Sequence, residues 1–214
     1  MTKAVREILE DAARGQFPEP NGHVAVLPSP SGPSDAVIGF TAHHVIATAV
    51  DPGEVSRHLP AGDFGAPMSA RFLAWIGDRL GVEPGNLDVV LAAPGRGTGH
   101  PEWLREVSAF EHERVARADR YRTAIRTFVT PAEDGVLIIG RGLAGRLEVS
   151  LEIDPAARGR GLGRRMIQAA RSLVAAEEVV FAQVAPGNAA SLRAFLAAGF
   201  TPIGSEVLFL TRPS

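Results

Sequence analysis

The chain has 214 residues, 45% of them hydrophobic, enough apolar material for one sizeable domain or two small ones. It contains no cysteine, which excludes a disulfide framework and a thiolate metal site and fits a reducing compartment. The formal net charge of −2 is uneven: residues 1–120 hold 11 Lys and Arg against 16 Asp and Glu, net −5, while residues 121–214 hold 11 against 8, net +3.

No apolar run reaches the roughly 18 residues that a membrane helix needs. The opening "MTKAVREILEDAARG" lacks the apolar core of a signal peptide. These features predict a soluble, cytoplasmic protein with no membrane partner. The basic residues are not interleaved with aromatics, so no nucleic-acid partner is expected.

Residues 3–13 read as a short amphipathic helix, ended by "FPEPNG". "HVAVLP" and "AVIGFTAHHVIATAV" read as two strands, the second one long and uninterrupted. His43 and His44 then point to opposite faces, and no acidic partner stands at ligand spacing, so no metal is expected. "PGEVSRHLP" is a short helix between prolines. "SARFLAWIGDRLG" is a firmer one, with Ser69 as cap and Gly81 as stop. Trp75 here and Trp103 further on read as packing residues, either of which could line an acceptor pocket. "LDVVLAAPG" is a buried strand and "GRGTGHP" a flexible loop. "EHERVARADR" supplies a helical turn or two.

The second half predicts strands over "YRTAIRTFVT", "VLIIG" and "RLEVSLEID", then a helix, strand "VVFAQVAP", helix "NAASLRAFLAAG" and strand "TPIGSEVLFL". In the third of these strands Leu147, Val149, Leu151 and Ile153 share one face, and Glu148, Ser150, Glu152 and Asp154 the other. The expected class is α/β with a mixed sheet. Residues 1–115 form an N-terminal α/β region and residues 116–214 a second domain.

The segment "AARGRGLGRRMIQAARSLV" spends three glycines (Gly159, Gly161, Gly163) on one strand-to-helix turn and surrounds them with arginines. A helix N-terminus offers unpaired N–H groups and the positive end of the dipole, and glycine lets an anion reach the backbone. Arginine adds fork geometry suited to phosphate. A Walker loop is excluded, because Arg164 and Arg165 stand where Lys and Ser/Thr are needed. The dinucleotide fingerprint lacks its last glycine. What remains is R-x-x-G-x-G, from Arg158 to Gly163, followed about 25 residues later by "NAASLRAFLAAGF".

These two motifs in order, each between the expected strands, resemble the GNAT superfamily of N-acyltransferases over roughly residues 120–210. The resemblance implies a GNAT fold in which strands 146–154 and 179–185 splay apart to admit the pantetheine of acetyl-CoA as co-substrate, with no metal. It implies main-chain contacts to pantetheine near Leu151 and Ile153. It also implies pyrophosphate on the N–H groups of Arg158, Gly159, Arg160, Gly161, Leu162, Gly163 and Arg164, and Asn188, Ser191 and Phe195 along the CoA arm. The family reaction is direct attack of an amine, small-molecule or peptide, on the thioester, and dimers are common among relatives.

Two positions depart from the family's acid–base pattern. Many members carry a tyrosine where this chain has Phe195, which has no proton to give. Members that acetylate protein N-termini carry a glutamate where Gln183 stands. Glu152, Glu148 and Tyr121, the only tyrosine, are the substitute candidates. A catalytically silent acyl-CoA sensor or interaction module is the competing expectation. The N-terminal region reads as a degenerate GNAT-like half or as a lobe shaping the acceptor site. Its acidic bias suits a cationic amine.

Overall fold

The computed structural model describes residues 3–212. Helix α1 (Val5–Ala13) buries Val5, Leu9 and Ala12, one stripe at helical spacing. Strand β1 (Val24–Pro28) follows. The long strand predicted over 36–50 is instead a hairpin, β2 (Ser34–Phe40) and β3 (His43–Thr48), with Phe40 opposite His43. The turn is Thr41-Ala42, with Ala42 at φ 46°. No glycine or asparagine marks it, so apolar residues run through the reversal and conceal it.

Helix α2 (Pro52–His58) and helix α3 (Ala70–Leu80) come next. Ser69 accepts from the Phe72 N–H at 3.3 Å, and Gly81 ends α3 in the left-handed region, as the sequence predicts. Strand β4 (Leu87–Pro94) leads to a short unpredicted strand, β5 (Arg105–Val107). The rest is helix α4 (Glu113–Tyr121), β6 (Thr123–Val129), β7 (Gly135–Arg141), β8 (Leu147–Ile153), α5 (Leu162–Leu173), β9 (Val179–Val184), α6 (Ala189–Ala197) and β10 (Thr201–Leu210).

Ten strands form one mixed sheet in the order β1-β3-β2-β10-β4-β9-β8-β7-β6-β5. Strand β4, from the first half of the chain, lies between β9 and β10, antiparallel to both. Strand β10 in turn pairs with β2. Residues before and after position 115, which itself lies in α4, thus contribute strands to one continuous sheet.

Helices α5 and α6 cover one face, where Met166, Ile167, Ala170 and Phe195 pack on Leu137, Val149, Val180 and Leu91. On the opposite face α4 sets Ala118 against Val129, Val136 and Ile138. The "GRGTG" segment is not a free loop. The N–H groups of Gly95, Arg96, Gly97 and Gly99 donate to the carbonyls of Glu178, Arg171, Val174 and Ser172. A Cβ at Gly95 would stand 2.0 Å from the Ala175 oxygen, so this close backbone approach requires glycine.

Candidate active site

The parallel pairing of β8 with β9 is brief. Leu147 lies opposite Val180 and Glu148 opposite Phe181, and the pairing ends there. Residues 149–153 of β8 remain paired with β7 on one side only. A strand edge opened in this way presents backbone groups that need a partner.

A cavity of about 340 Å³ lies at this divergence. Val149, Leu151 and Phe195 line it from the α5–α6 face, with Asn188 and Ser191 at the start of α6. Glu148, Ser150, Gln183 and Asp88 line it from the α4 face, together with Arg114, Arg117, Tyr121 and Arg122. Successive β8 residues point to opposite faces. The cavity therefore passes through the sheet where β8 and β9 part.

Beside it, α5 begins at Gly161, whose φ is 80°; Gly159 has φ 77°. This left-handed backbone is the reason for glycine at both positions, because an added Cβ would meet nothing within 4 Å at either. No side chain caps the helix, and its first intrahelical bond runs from the Arg165 N–H to the Gly161 carbonyl. The N–H groups of Gly161, Leu162, Gly163 and Arg164 are thus free of intrahelical partners. A Cβ added at Gly163 would meet Leu151 and Ile153 at 3.8 Å, so this turn lies beside the strand that forms the cavity wall. Arg158 folds back, donating from Nε to the Ile153 carbonyl at 2.9 Å. Arg160 and Arg164 are exposed, whereas Arg165 lies over the Trp103 ring at 4.6 Å. Ile153 and residues 158–164 do not themselves line the cavity.

The α4 face carries a buried chain of charge. Arg146 is 1% exposed, Glu148 2% and Glu206 1%. Arg146 donates to Glu206 from both terminal nitrogens, at 2.8 and 2.5 Å, and from Nε to Glu148 at 2.8 Å. Its guanidinium lies over the Phe181 ring of β9 at 5.3 Å. Arg122 donates to the second oxygen of Glu148 at 2.9 Å, to Ser150 at 2.8 Å and to the Gln183 Oε1 at 3.3 Å.

Burial opposes ionisation of Glu148, but the charges of Arg146 and Arg122 outweigh it and hold the carboxyl below its usual range. Both its oxygens are taken. Glu148, expected as a substitute base, is therefore an anchored anion, unsuited to accept a proton. Glu152, the other carboxylate candidate, pairs with Arg114 at 3.2 Å, is part-exposed, and does not line the cavity. Tyr121 does line it, but from the last residue of α4 and not from the start of a strand.

Two groups in the cavity lack partners. The Nε2 of Gln183 is buried with no hydrogen-bond acceptor. Asp88 has no hydrogen-bond or ion-pair partner among the described residues. Burial, and then the adjacent Glu206, push its carboxyl up to about 6. Asp88 is absent from the sequence-based site, because one acid near the start of an apolar strand reads as a solvated strand end. Phe195 is 3% exposed and meets Phe200 edge to face, ring centres 5.0 Å apart. Asn188 caps α6, accepting from the Ser191 N–H at 3.1 Å. Among the described residues no three His, Asp or Glu side chains gather to hold a metal ion, and no helix is long and apolar enough to cross a membrane.

Residues 100–200 match the acetyltransferase (GNAT) family. Over that segment, just under half of the chain, the sequence is similar to the GNAT family. Similar solved structures include a GNAT-family protein from Novosphingobium aromaticivorans DSM 12444, at 17% identity over 60% of this chain and 65% of that one, TM-score 0.44. Another is a GCN5-related N-acetyltransferase from Sphaerobacter thermophilus, at 16% identity over 66% and 56%, TM-score 0.37. A third is a GCN5-related N-acetyltransferase from Kribbella flavida, at 16% identity over 64% and 63%, TM-score 0.38. In each case the match spans less than two thirds of the other chain. No curated protein matches the chain.

Proposed function

We propose that the protein is a cytoplasmic acetyl-CoA-dependent N-acetyltransferase that moves an acetyl group to a primary amine, small-molecule or peptide, by direct attack. One observation carries this reading: the cavity crosses the sheet where β8 and β9 diverge, beside an uncapped helix N-terminus entered through two left-handed glycines.

The residues present suit such a co-substrate. The free N–H groups of the α5 turn match a pyrophosphate, with Arg160 and Arg164 adding charge at its surface. The unpaired edge of β8 near Leu151 and Ile153 matches a pantetheine amide chain, with Phe195 as an apolar wall. Asn188 and Ser191 border the same channel. The buried Gln183 Nε2 is a donor still in need of an acceptor, such as a carbonyl oxygen. Phe195 cannot protonate a departing thiolate, so that proton comes from the amine or from water. The second reading, a silent acyl-CoA-binding module, is favoured by the same Phe195 and by the anchoring of Glu148. A homodimer is compatible with either.

The test is calorimetric titration of acetyl-CoA into wild type and Gly161→Glu, with melting curves to show that both are folded. Binding should weaken at least about tenfold in the variant, or about 1.4 kcal/mol. Thiol release with a panel of amines then separates enzyme from silent module. Wild-type protein that binds no acetyl-CoA would reduce the resemblance to one of fold.

A further inference from the structure

One carboxylate beside the buried charge chain is left out of its bonds. Three carboxylates (Glu148, Glu206, Asp88) share one face of the sheet with two buried guanidiniums, Arg122 and Arg146. Arg146 and Arg122 hold Glu148 between them, and Arg146 grips Glu206 with a fork. Asp88 sits directly across from Glu206 in the β4–β10 ladder and receives no guanidinium bond. Asp88 is thus the one carboxylate of the three that faces the cavity with no guanidinium bonded to it, Arg117 of α4 acting on it only through space. Glu206 brings it no cation, because the guanidinium beside Glu206 already donates to Glu206 and Glu148.

A carboxylate lining a part-buried cavity with no cation bonded to it can take up a proton or a cationic group from outside. The family reaction brings a cation, the protonated acceptor amine. Asp88 and Gln183 lie on the same face of adjacent strands, since Val90 stands opposite Gln183 and side chains alternate. Asp88 therefore borders the same opening as the unpartnered Gln183 Nε2.

Resting on the acetyltransferase reading above, we propose that Asp88 receives the acceptor ammonium and removes its proton, so that the first half of the chain supplies the catalytic base. The step balances. The ammonium gives one proton to the Asp88 carboxylate. The freed lone pair on nitrogen forms the C–N bond to the thioester carbon. The C–S bond breaks and sulfur leaves with the electron pair, taking the second amine proton to become the thiol. Asp88 then returns its proton to solvent. Asp88 lies outside residues 100–200, the part that matches the family, so the base comes from elsewhere in the chain.

The groups facing Asp88 set its titration. They are Glu206 from β10 and Arg117 from α4, with Tyr121, Arg122 and Glu148 around the same cavity. Burial and Glu206 act upward and Arg117 downward, and the result of about 6 is poised for a base working near neutrality.

The test compares wild type, Asp88→Asn and Asp88→Glu. Acetyl-CoA affinity is read by calorimetry. Thiol release is followed against pH, with the first amine that wild type accepts from a panel of amino acids, polyamines and short peptides. Asp88→Asn should bind acetyl-CoA within about twofold of wild type while kcat/KM falls on the order of 100-fold or more. Its deficit should narrow at high pH, where the amine loses its proton unaided, and Asp88→Glu should recover part of the rate. Folding is checked by melting curves. Wild-type rate and pH profile in Asp88→Asn would overturn this proposal alone. Acetyl-CoA binding with no amine acetylated would overturn the role of Asp88 and leave a silent module. No acetyl-CoA binding by wild type would overturn the parent reading and this one with it.

Discussion

Asp88 illustrates what one residue does to the free energy of the folded state. Its carboxyl titrates at about 6 in the fold, above the usual value of 3.8. The folded protein therefore holds a proton that the unfolded chain has lost between these values, and stability falls as pH rises through that window. Below pH 4 both states are protonated and the effect vanishes. Asp88→Asn removes the penalty, so it should be more stable than wild type at pH 8 by about 1–2 kcal/mol after allowance for solvent screening. The gain should disappear by pH 4. Urea unfolding at the two pH values measures this, and a destabilised Asn variant at pH 8 would refute it. The same comparison separates folding from activity: a variant that gains stability while losing rate has lost chemistry.

At the scale of elements, the charge chain spans four strands. Glu206 on β10 reaches Arg146 at the start of β8 across β4 and β9, with the Phe181 ring beneath the guanidinium. Arg122, between α4 and β6, closes the other end. Removing the central cation would strand the buried Glu206 and leave Glu148 with Arg122 alone. Arg146→Met should cost about 3–5 kcal/mol by denaturant unfolding. Arg122→Met should cost less, because Arg146 still serves Glu148. A loss under about 1 kcal/mol for Arg146→Met would show that water enters this layer freely. The glycine turn belongs to the same scale. Its conformation is local and was legible, whereas the partners of Arg158 and Arg165 were not. The pull of the Ile153 carbonyl on one and of the Trp103 ring on the other comes from residues that meet only in the fold.

For the whole molecule, the sheet order matters most. Strand β4 lies between β9 and β10, and β2 covers the far edge of β10. A fragment of residues 116–214 would lack β4 and β2. It would expose unpaired edges on β9 and on both sides of β10, along with apolar residues such as Phe181, Val207 and Phe209. Expressed alone, it should be insoluble or show no cooperative melt. Adding residues 3–115 as a separate chain should recover folded material. A soluble fragment with a sharp transition would show that the second half folds without its neighbour strand. The fragment would also lack Asp88, so any rate it retained would count against the base proposed here.

By itself the sequence determined the local features. Alternation along 147–153 separates an apolar from a polar face, because the period of a strand is fixed by covalent geometry. The glycines at 159 and 161 and the cap at Ser69 follow from backbone sterics and unpaired N–H groups, which act within a few residues. The family resemblance rests on those same short motifs. Tertiary structure alone decided the rest. It hid a hairpin inside residues 36–50, pinned the "GRGTG" segment to the end of α5, and locked Glu148 between two arginines. It brought Asp88 to the opening between β8 and β9, from a strand about 60 residues upstream of the first and about 90 upstream of the second. Whether a carboxylate is an anchored anion or a free base depends on which cations stand beside it. That is settled by contacts between residues far apart in the chain, which no local pattern encodes.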